Sequence, residues 1–234
     1  MTMLLGRDEV AANAIHVIIA DNQSTVRGAW RQALALSVPD ATIGEAGDLA
    51  SLSRELAQAD IVDLVLLDLA MPGVSGFPGL LYLRSQHPEV PVVVVSATED
   101  TGIMRRSVDV GAAGFIPKSA GMPAMQEAIR TVLDGGIWVP DDLEPAEAPD
   151  AQITDMMRRL ASLTPQQLRV LMMLSQGLLN KQIAYALTVS EATVKAHVSA
   201  ILQKLGVESR TQAVLAVSKI EHGQFAVDRR KDRD

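Results

Sequence analysis

LVLLDLAMPGVSG, residues 64–76, opens on an apolar run broken by one carboxylate, Asp68, and closes on a Pro-Gly turn signal. A near-continuous apolar run of strand length is buried on both faces, as in a parallel sheet. VPVVVVSA, residues 90–97, has the same character and ends on Ser96. Working outward, short apolar runs alternate with segments of helical spacing from residue 16 to residue 135, the pattern of βαβ units. Strands are predicted at His16–Ala20, Thr42–Ala46, Leu64–Leu69, Val90–Ser96 and Gly114–Pro117. Helices are predicted at Ser24–Leu36, Asp48–Ala59, Ser75–Gln86, Asp100–Val110 and Gly121–Leu133. Together they make an α/β doubly wound, five-stranded parallel sheet of flavodoxin-like type.

Ligands of such sheets bind outside the carboxyl ends of the strands. In VIIADNQSTVRG, residues 17–28, the first strand ends at Asp21 and Asn22; the third ends at Asp68, the fourth at Ser96, and Lys118 follows the fifth. Acids, an amide, a hydroxyl and an amine thus converge on one edge from four strands.

Charge divides the chain. Residues 1–140 hold 9 basic and 16 acidic side chains, a net of −7, whereas residues 151–234 hold 12 and 7, a net of +5. Between them DDLEPAEAPD, residues 141–150, has five acids and no base. The basic half points to a polyanion partner. The expected organisation is an N-terminal extension (1–14), the α/β domain (15–137), an acidic linker (138–158), a small all-α four-helix domain (159–223) and a charged tail (224–234). There is no cysteine, which excludes disulfides and thiolate metal sites. No leader or membrane-spanning run is visible, so a cytoplasmic protein with no membrane partner is expected.

In the basic half, Thr164-Pro165-Gln166-Gln167 reads as a capping box with Pro at the first helical position, and SRTQ, residues 209–212, as a second box. The helices Asn180–Leu187 and Ser190–Leu205, joined by Thr188-Val189, read as helix-turn-helix. Val194, Val198, Ile201, Leu202 and Leu205 form one apolar stripe, leaving Ala192, Lys195, Ala196, Ser199 and Gln203 opposite. That small, cationic face suits a DNA major groove.

VLLDLAMPGVSG and GAAGFIPKS (residues 111–119) resemble the phosphoacceptor loop and fifth strand of two-component receiver domains. The resemblance implies that Asp68 takes a phosphoryl group from a sensor histidine kinase. Mg²⁺ would be held by Asp21, Asn22, Asp68 and the Ala70 carbonyl; Ser96 and Lys118 would hold the phosphoryl oxygens. Phe115 matches the aromatic switch position, and as Phe rather than Tyr it is expected to favour burial. Most receivers carry a second acid where this chain has Asn22, so weaker metal binding is expected. A phosphatase is disfavoured because Ala70 supplies no second carboxylate; the receiver is expected to take part in phosphoryl transfer and autodephosphorylation only.

LTPQQ, GLLNKQIA, SEATVKAHVSAIL, KLGV and SRTQAV, within residues 163–217, resemble the LuxR-type DNA-binding domain of NarL/FixJ response regulators. The resemblance implies that Lys195, Ala196 and Ser199 read bases while Asn180, Lys181, Thr193 and His197 lie at phosphates. It also implies a homodimer when active, with a seam near Ala213, Val214 and Val217. Gln166-Gln167 replaces the common Arg-Glu, losing a salt-bridging acid. Thr188 stands where Gly is common, so the turn is expected to take a conformation that threonine tolerates. The function implied is a response-regulator transcription factor; the alternative is a phospho-independent DNA-binding regulator whose receiver serves as an interaction or dimerisation module.

Overall fold

The structure, a computed structural model, describes residues 14–74, 76–140 and 151–221. The expected N-terminal extension up to residue 13, the acidic linker segment 141–150, the helix start at Ser75 and the charged tail lie outside these.

Five strands, β1 (His16–Ala20), β2 (Thr42–Ala46), β3 (Leu64–Asp68), β4 (Val92–Ser96) and β5 (Gly114–Pro117), form one parallel sheet in the order β2-β1-β3-β4-β5. Helices α1 (Ser24–Ser37), α2 (Leu49–Gln58), α3 (Gly76–Gln86), α4 (Thr101–Asp109) and α5 (Met122–Leu133) alternate with them. Strand period two sends alternate side chains to opposite faces. Val17, Ile19, Leu64, Leu66, Val93 and Val95 pack with Trp30, Leu34 and Ile129 of α1 and α5. Ile18, Val65, Leu67, Val92, Val94 and Phe115 pack with Leu52, Leu80 and Met104 of α2, α3 and α4. Each buried aliphatic contributes about 1.5–3 kcal/mol, and all five residues of β3 are buried. The order in which strands are added reverses between β1 and β3, and the crevice at such a switch point receives ligands.

A further pairing lies beyond β5. Trp138 bridges to Gly114 in parallel register, its N–H donating to Ala113 O (3.1 Å) and its carbonyl accepting from the Phe115 N–H (3.0 Å). A Cβ on Gly114 would stand 2.6 Å from Trp138 O, so only glycine admits this approach. Trp138, expected in the linker, therefore belongs to the sheet edge.

The second half is helical: α6 (Ala151–Ala161), α7 (Pro165–Ser175), α8 (Asn180–Leu187), α9 (Glu191–Leu205) and α10 (Arg210–Glu221). Helices α7 to α10 are the four expected. Helix α6 corrects the linker boundary, because residues 151–158 are helical and bury Ile153. The signal was in the sequence, since Ile153, Met156, Met157 and Leu160 repeat at i, i+3, i+4 and i+7.

The Thr164 capping box forms as expected: Thr164 Oγ1 accepts from the Gln167 N–H (3.3 Å) and Gln167 Oε1 accepts from the Thr164 N–H (3.0 Å). At SRTQ only half a box forms. Ser209 Oγ accepts from the Gln212 N–H, but Gln212 Oε1 takes the Glu208 N–H at 2.7 Å instead of that of Ser209. Thr188 overturns its expectation: it lies at φ 54°, ψ 44°, the left-handed region. The short link between α8 and α9 requires that geometry, and threonine bears the strain.

Helices α7 and α10 pack against α3 of the α/β domain. Arg106 of α4 donates from Nη2 to the carbonyl of Ile220 (3.2 Å), satisfying one orphan oxygen in the last turn of α10. Between the domains lies a cleft of about 640 Å³, bounded by Leu69, Val74, Phe77 and Ile103 on one side and Val214 and Val217 on the other.

Candidate functional sites: a carboxylate–lysine site and a nucleic-acid interface

Asp21 and Asp68 leave the carboxyl ends of the adjacent strands β1 and β3, each only 2% exposed. Asp68 Oδ1 accepts from the Ala70 N–H (2.9 Å), and Asp21 Oδ1 from the Gln23 N–H (2.7 Å). The remaining oxygens converge on one ammonium: Lys118 Nζ lies 2.7 Å from Asp21 Oδ2 and 3.0 Å from Asp68 Oδ2. Among the described residues neither Oδ2 has any other partner. Burial pulls the Lys118 pKa down, but the bonds to Asp21 and Asp68 outweigh it, and the net shift is upward. The Lys118 N–H also donates to Ser96 O at 2.7 Å, tying β5 to β4. Ser96 is partly exposed, and its Oγ accepts from the Thr98 N–H at 3.3 Å.

Asn22 and Ala70 are exposed beside this pair. Two buried carboxylate oxygens served by one cation, with a backbone carbonyl and an amide at the rim, fit a Mg²⁺ ion that keeps several waters. Among the described residues no group of three or more His, Cys, Asp and Glu forms a denser cage. Asn22, next to Asp21, is neutral and adds no charge to the two carboxylates.

Phe115 is fully buried, as the absence of a hydroxyl led us to expect. It packs on the α4 side of the sheet, one strand from the Asp68 terminus.

On α9 the expected apolar stripe is inward: Val194, Ile201 and Leu205 are fully buried. Ala192, Thr193, Lys195, Ala196, Ser199 and Gln203 are exposed, while His197 is half-buried. Lys195 pairs with Glu191 one turn earlier (3.3 Å, both side chains exposed), a contact of well under about 1 kcal/mol that a phosphate or base edge can displace. The Thr193 hydroxyl lies 2.8 Å from that of the cap residue Ser190. On α8, Lys181 is exposed and Asn180 half-buried.

The profile of the response regulator receiver domain matches residues 17–130, and that of the luxR family of bacterial regulatory proteins matches residues 161–217. The chain is 39% identical over 211 residues to the glycerol metabolism activator of Pseudomonas putida, covering 88% of this chain and 96% of that one. It is 33% identical to the nitrate/nitrite response regulator NarP of Escherichia coli, covering 87% and 94%. RcsB of Salmonella enterica bound to promoter P1flhDC with phosphomimetic BeF3⁻ shares the fold at TM-score 0.53 and 24% identity, covering 89% and 100%.

This chain is a LuxR-type response regulator.

As such it is a transcription regulator, a receiver joined to a DNA-binding domain. Among its described residues no helix is long and apolar enough to cross a membrane. Two residues of the response regulator carry structural roles that the sequence reading missed. Lys204 donates to Ser162 O (2.7 Å) and Gln167 Oε1 (2.9 Å), so Gln167 keeps a cationic partner without an acid's charge. Arg27 donates from Nη1 to the Asp21 carbonyl (2.7 Å) and from Nε to Glu45 Oε2 (2.7 Å). An arginine in the first turn after β1 with an acid on the paired strand β2 is the available signal.

Proposed function

We propose that this response regulator is a cytoplasmic transcription factor switched by phosphorylation of Asp68 by a sensor histidine kinase. The observation that carries the reading is the convergence of Asp21 Oδ2 and Asp68 Oδ2 on Lys118, with no other partner for either oxygen among the described residues. Because the Ala70 N–H occupies Oδ1 of Asp68, Oδ2 is the nucleophile. It attacks phosphorus of the phosphohistidine; the P–N bond breaks, the P–O bond forms and the electron pair returns to the imidazole. Asp21, Asn22, Asp68 and the Ala70 carbonyl would hold a Mg²⁺ ion, which would supply charge neutralisation for the transferred group. Lys118 exchanges its Asp68 carboxylate contact for a phosphoryl oxygen. Ser96 gives up its weak 3.3 Å bond to the Thr98 N–H and turns toward the same group, and Phe115 fills the space it leaves.

The output is double-stranded DNA. Lys195 discriminates bases, Ala196 and Ser199 tolerate them, and Asn180, Lys181, Thr193 and His197 lie against phosphates. Helix α10 supports a link between the two halves. Ala213 and Val217 are buried, and Val214 and Val217 face the receiver across the cleft, so a seam formed by them is covered while the α9 face is open. Phosphorylation shifts the population toward a state in which α10 is released and a homodimer binds half-sites about one helical turn, or a multiple of it, apart.

The test is labelling by acetyl phosphate with and without Mg²⁺, together with sedimentation and operator binding with and without beryllofluoride. Wild type is expected to label and Asp68→Asn to stay unlabelled, and the adduct is expected to promote both dimer and DNA binding. Labelling of Asp68→Asn overturns the site. Equal DNA affinity with and without the adduct selects the phospho-independent regulator, whose receiver is an interaction module and for which the neutral Asn22 is the supporting feature.

A further inference from the structure

Asp21 is fixed at four points. Its N–H donates to Ala46 O of β2 (2.9 Å), its carbonyl accepts from Arg27, its Oδ1 accepts from the Gln23 N–H, and its Oδ2 meets Lys118. Two of the four come from other side chains, and of these the contact made to the main chain of Asp21 is that of Arg27. Its guanidinium is a rigid fork, and here the prongs separate: Nη1 ends on the Asp21 carbonyl and Nε on Glu45. Glu45 sits on β2, whose register places it opposite Ile19, two residues before Asp21. Arg27 thus joins α1, the end of β1 and β2 at the carboxylate that faces the cation site.

Two features separate this from an ordinary helix-to-sheet strut. Glu45 pairs with Arg27 at 2.7 Å and with the more exposed Arg31 at 3.2 Å, so the positive charge that Arg27 brings beside Asp21 is partly offset. The site is also poor in charge: two buried carboxylates face one ammonium, and the neighbouring position is the neutral Asn22. Where charge is scarce, affinity depends on holding the donors in place, and partners that orient a metal ligand contribute about 10–100-fold in affinity. We propose that Arg27 is a positioning residue for divalent-cation binding at Asp21, with Glu45 as its charge balance. The proposal rests on Mg²⁺ binding at Asp21 and Asp68, as in the reading above.

Mg²⁺ titrated calorimetrically into the full chain, with Mn²⁺ followed by electron paramagnetic resonance as a second probe, tests it. Arg27→Gln is expected to raise the Mg²⁺ dissociation constant about tenfold, with the maximal acetyl phosphate labelling rate recovered at saturating Mg²⁺. Glu45→Gln, which leaves the carbonyl contact possible, is expected to change it less. If Arg27→Gln does not fold, Arg27→Lys carries the test, since one ammonium cannot span both acceptors; its dissociation constant must still rise severalfold. A folded variant with a lowered melting temperature but an unchanged dissociation constant shows a merely structural strut and overturns the proposal. No Mg²⁺ binding by the wild type overturns the underlying reading instead.

Discussion

Lys118, which follows β5, reaches across β4 and sets its ammonium 3.0 Å from Asp68 Oδ2. The same ammonium serves Asp21, so among the described residues it is the one cation holding the two buried carboxylates together. Lys118→Met leaves both acids without a counter-charge, and removing one partner from a buried ionic cluster costs about 3–5 kcal/mol. Urea denaturation is expected to show a loss near the lower end of that range, because the site opens to solvent on one side. Mg²⁺ is expected to stabilise the variant more than it stabilises the wild type, since it then supplies the missing positive charge.

The pH dependence follows from the upward shift of the Lys118 pKa above its ordinary 10.5. A group whose pKa is raised on folding contributes stability that is fully present below its unfolded value and is lost as the pH passes through the folded one. The Lys118 contribution is therefore constant at neutral pH and falls only in alkali above about pH 10.5. The stability difference between wild type and Lys118→Met, measured by denaturant titration at a series of pH values, should shrink over that interval. A difference that shrinks near neutral pH instead contradicts the assignment.

Thr188 is the one non-glycine residue with positive φ among those described. A β-branched residue in that region carries about 1–2 kcal/mol of strain. Thr188→Asn keeps a polar side chain and tolerates the conformation. Thermal unfolding of the variant is expected to show about 1 kcal/mol of added stability, with operator affinity unchanged.

Gly114→Ala drives a methyl into the Trp138 carbonyl at 2.6 Å. Overpacking of this kind costs about 1–3 kcal/mol. The edge pairing is expected to open, and hydrogen exchange at the Phe115 amide, which donates to Trp138 O, should accelerate selectively.

Arg106→Ala removes the donor from receiver helix α4 that caps α10. A hydrogen bond of this type contributes about 1 kcal/mol. Unphosphorylated variant protein is expected to show about a fivefold shift toward released α10, the factor that such an energy sets at room temperature. Sedimentation velocity and operator-binding anisotropy measure it.

The sheet was legible because strands buried on both faces write themselves as apolar runs, as β1, β3 and β4 do; the expected bounds of β1, β2 and β5 match residue for residue. Asp21, Asp68 and Lys118 were legible as a group because strand ends in this topology must share an edge. What escaped has a physical pattern. The bond between Arg27 and the Asp21 carbonyl joins a side chain to backbone, and any residue type would offer that acceptor. Trp138 pairs with the sheet through main-chain atoms, so that pairing depends on the missing Cβ of Gly114, while its side chain packs against the core on the α1 and α5 side. Thr188 misled because sequence records which conformation a residue prefers, whereas the α8–α9 turn records which one it is made to bear. The contact between the two halves follows from neither pattern, since surfaces of two complete domains carry no periodic signal toward each other.

The polar face of α9 is exposed while α10 lies folded against the receiver. Under the proposed function this gives the resting protein a search mode. A single copy can touch and leave DNA quickly, held by few phosphate contacts and easily displaced by salt. The signal then acts on dwell time: two linked copies must let go together, so residence on the operator lengthens while the rate of arrival changes little. The stimulus is recorded as how long the regulator stays on its site.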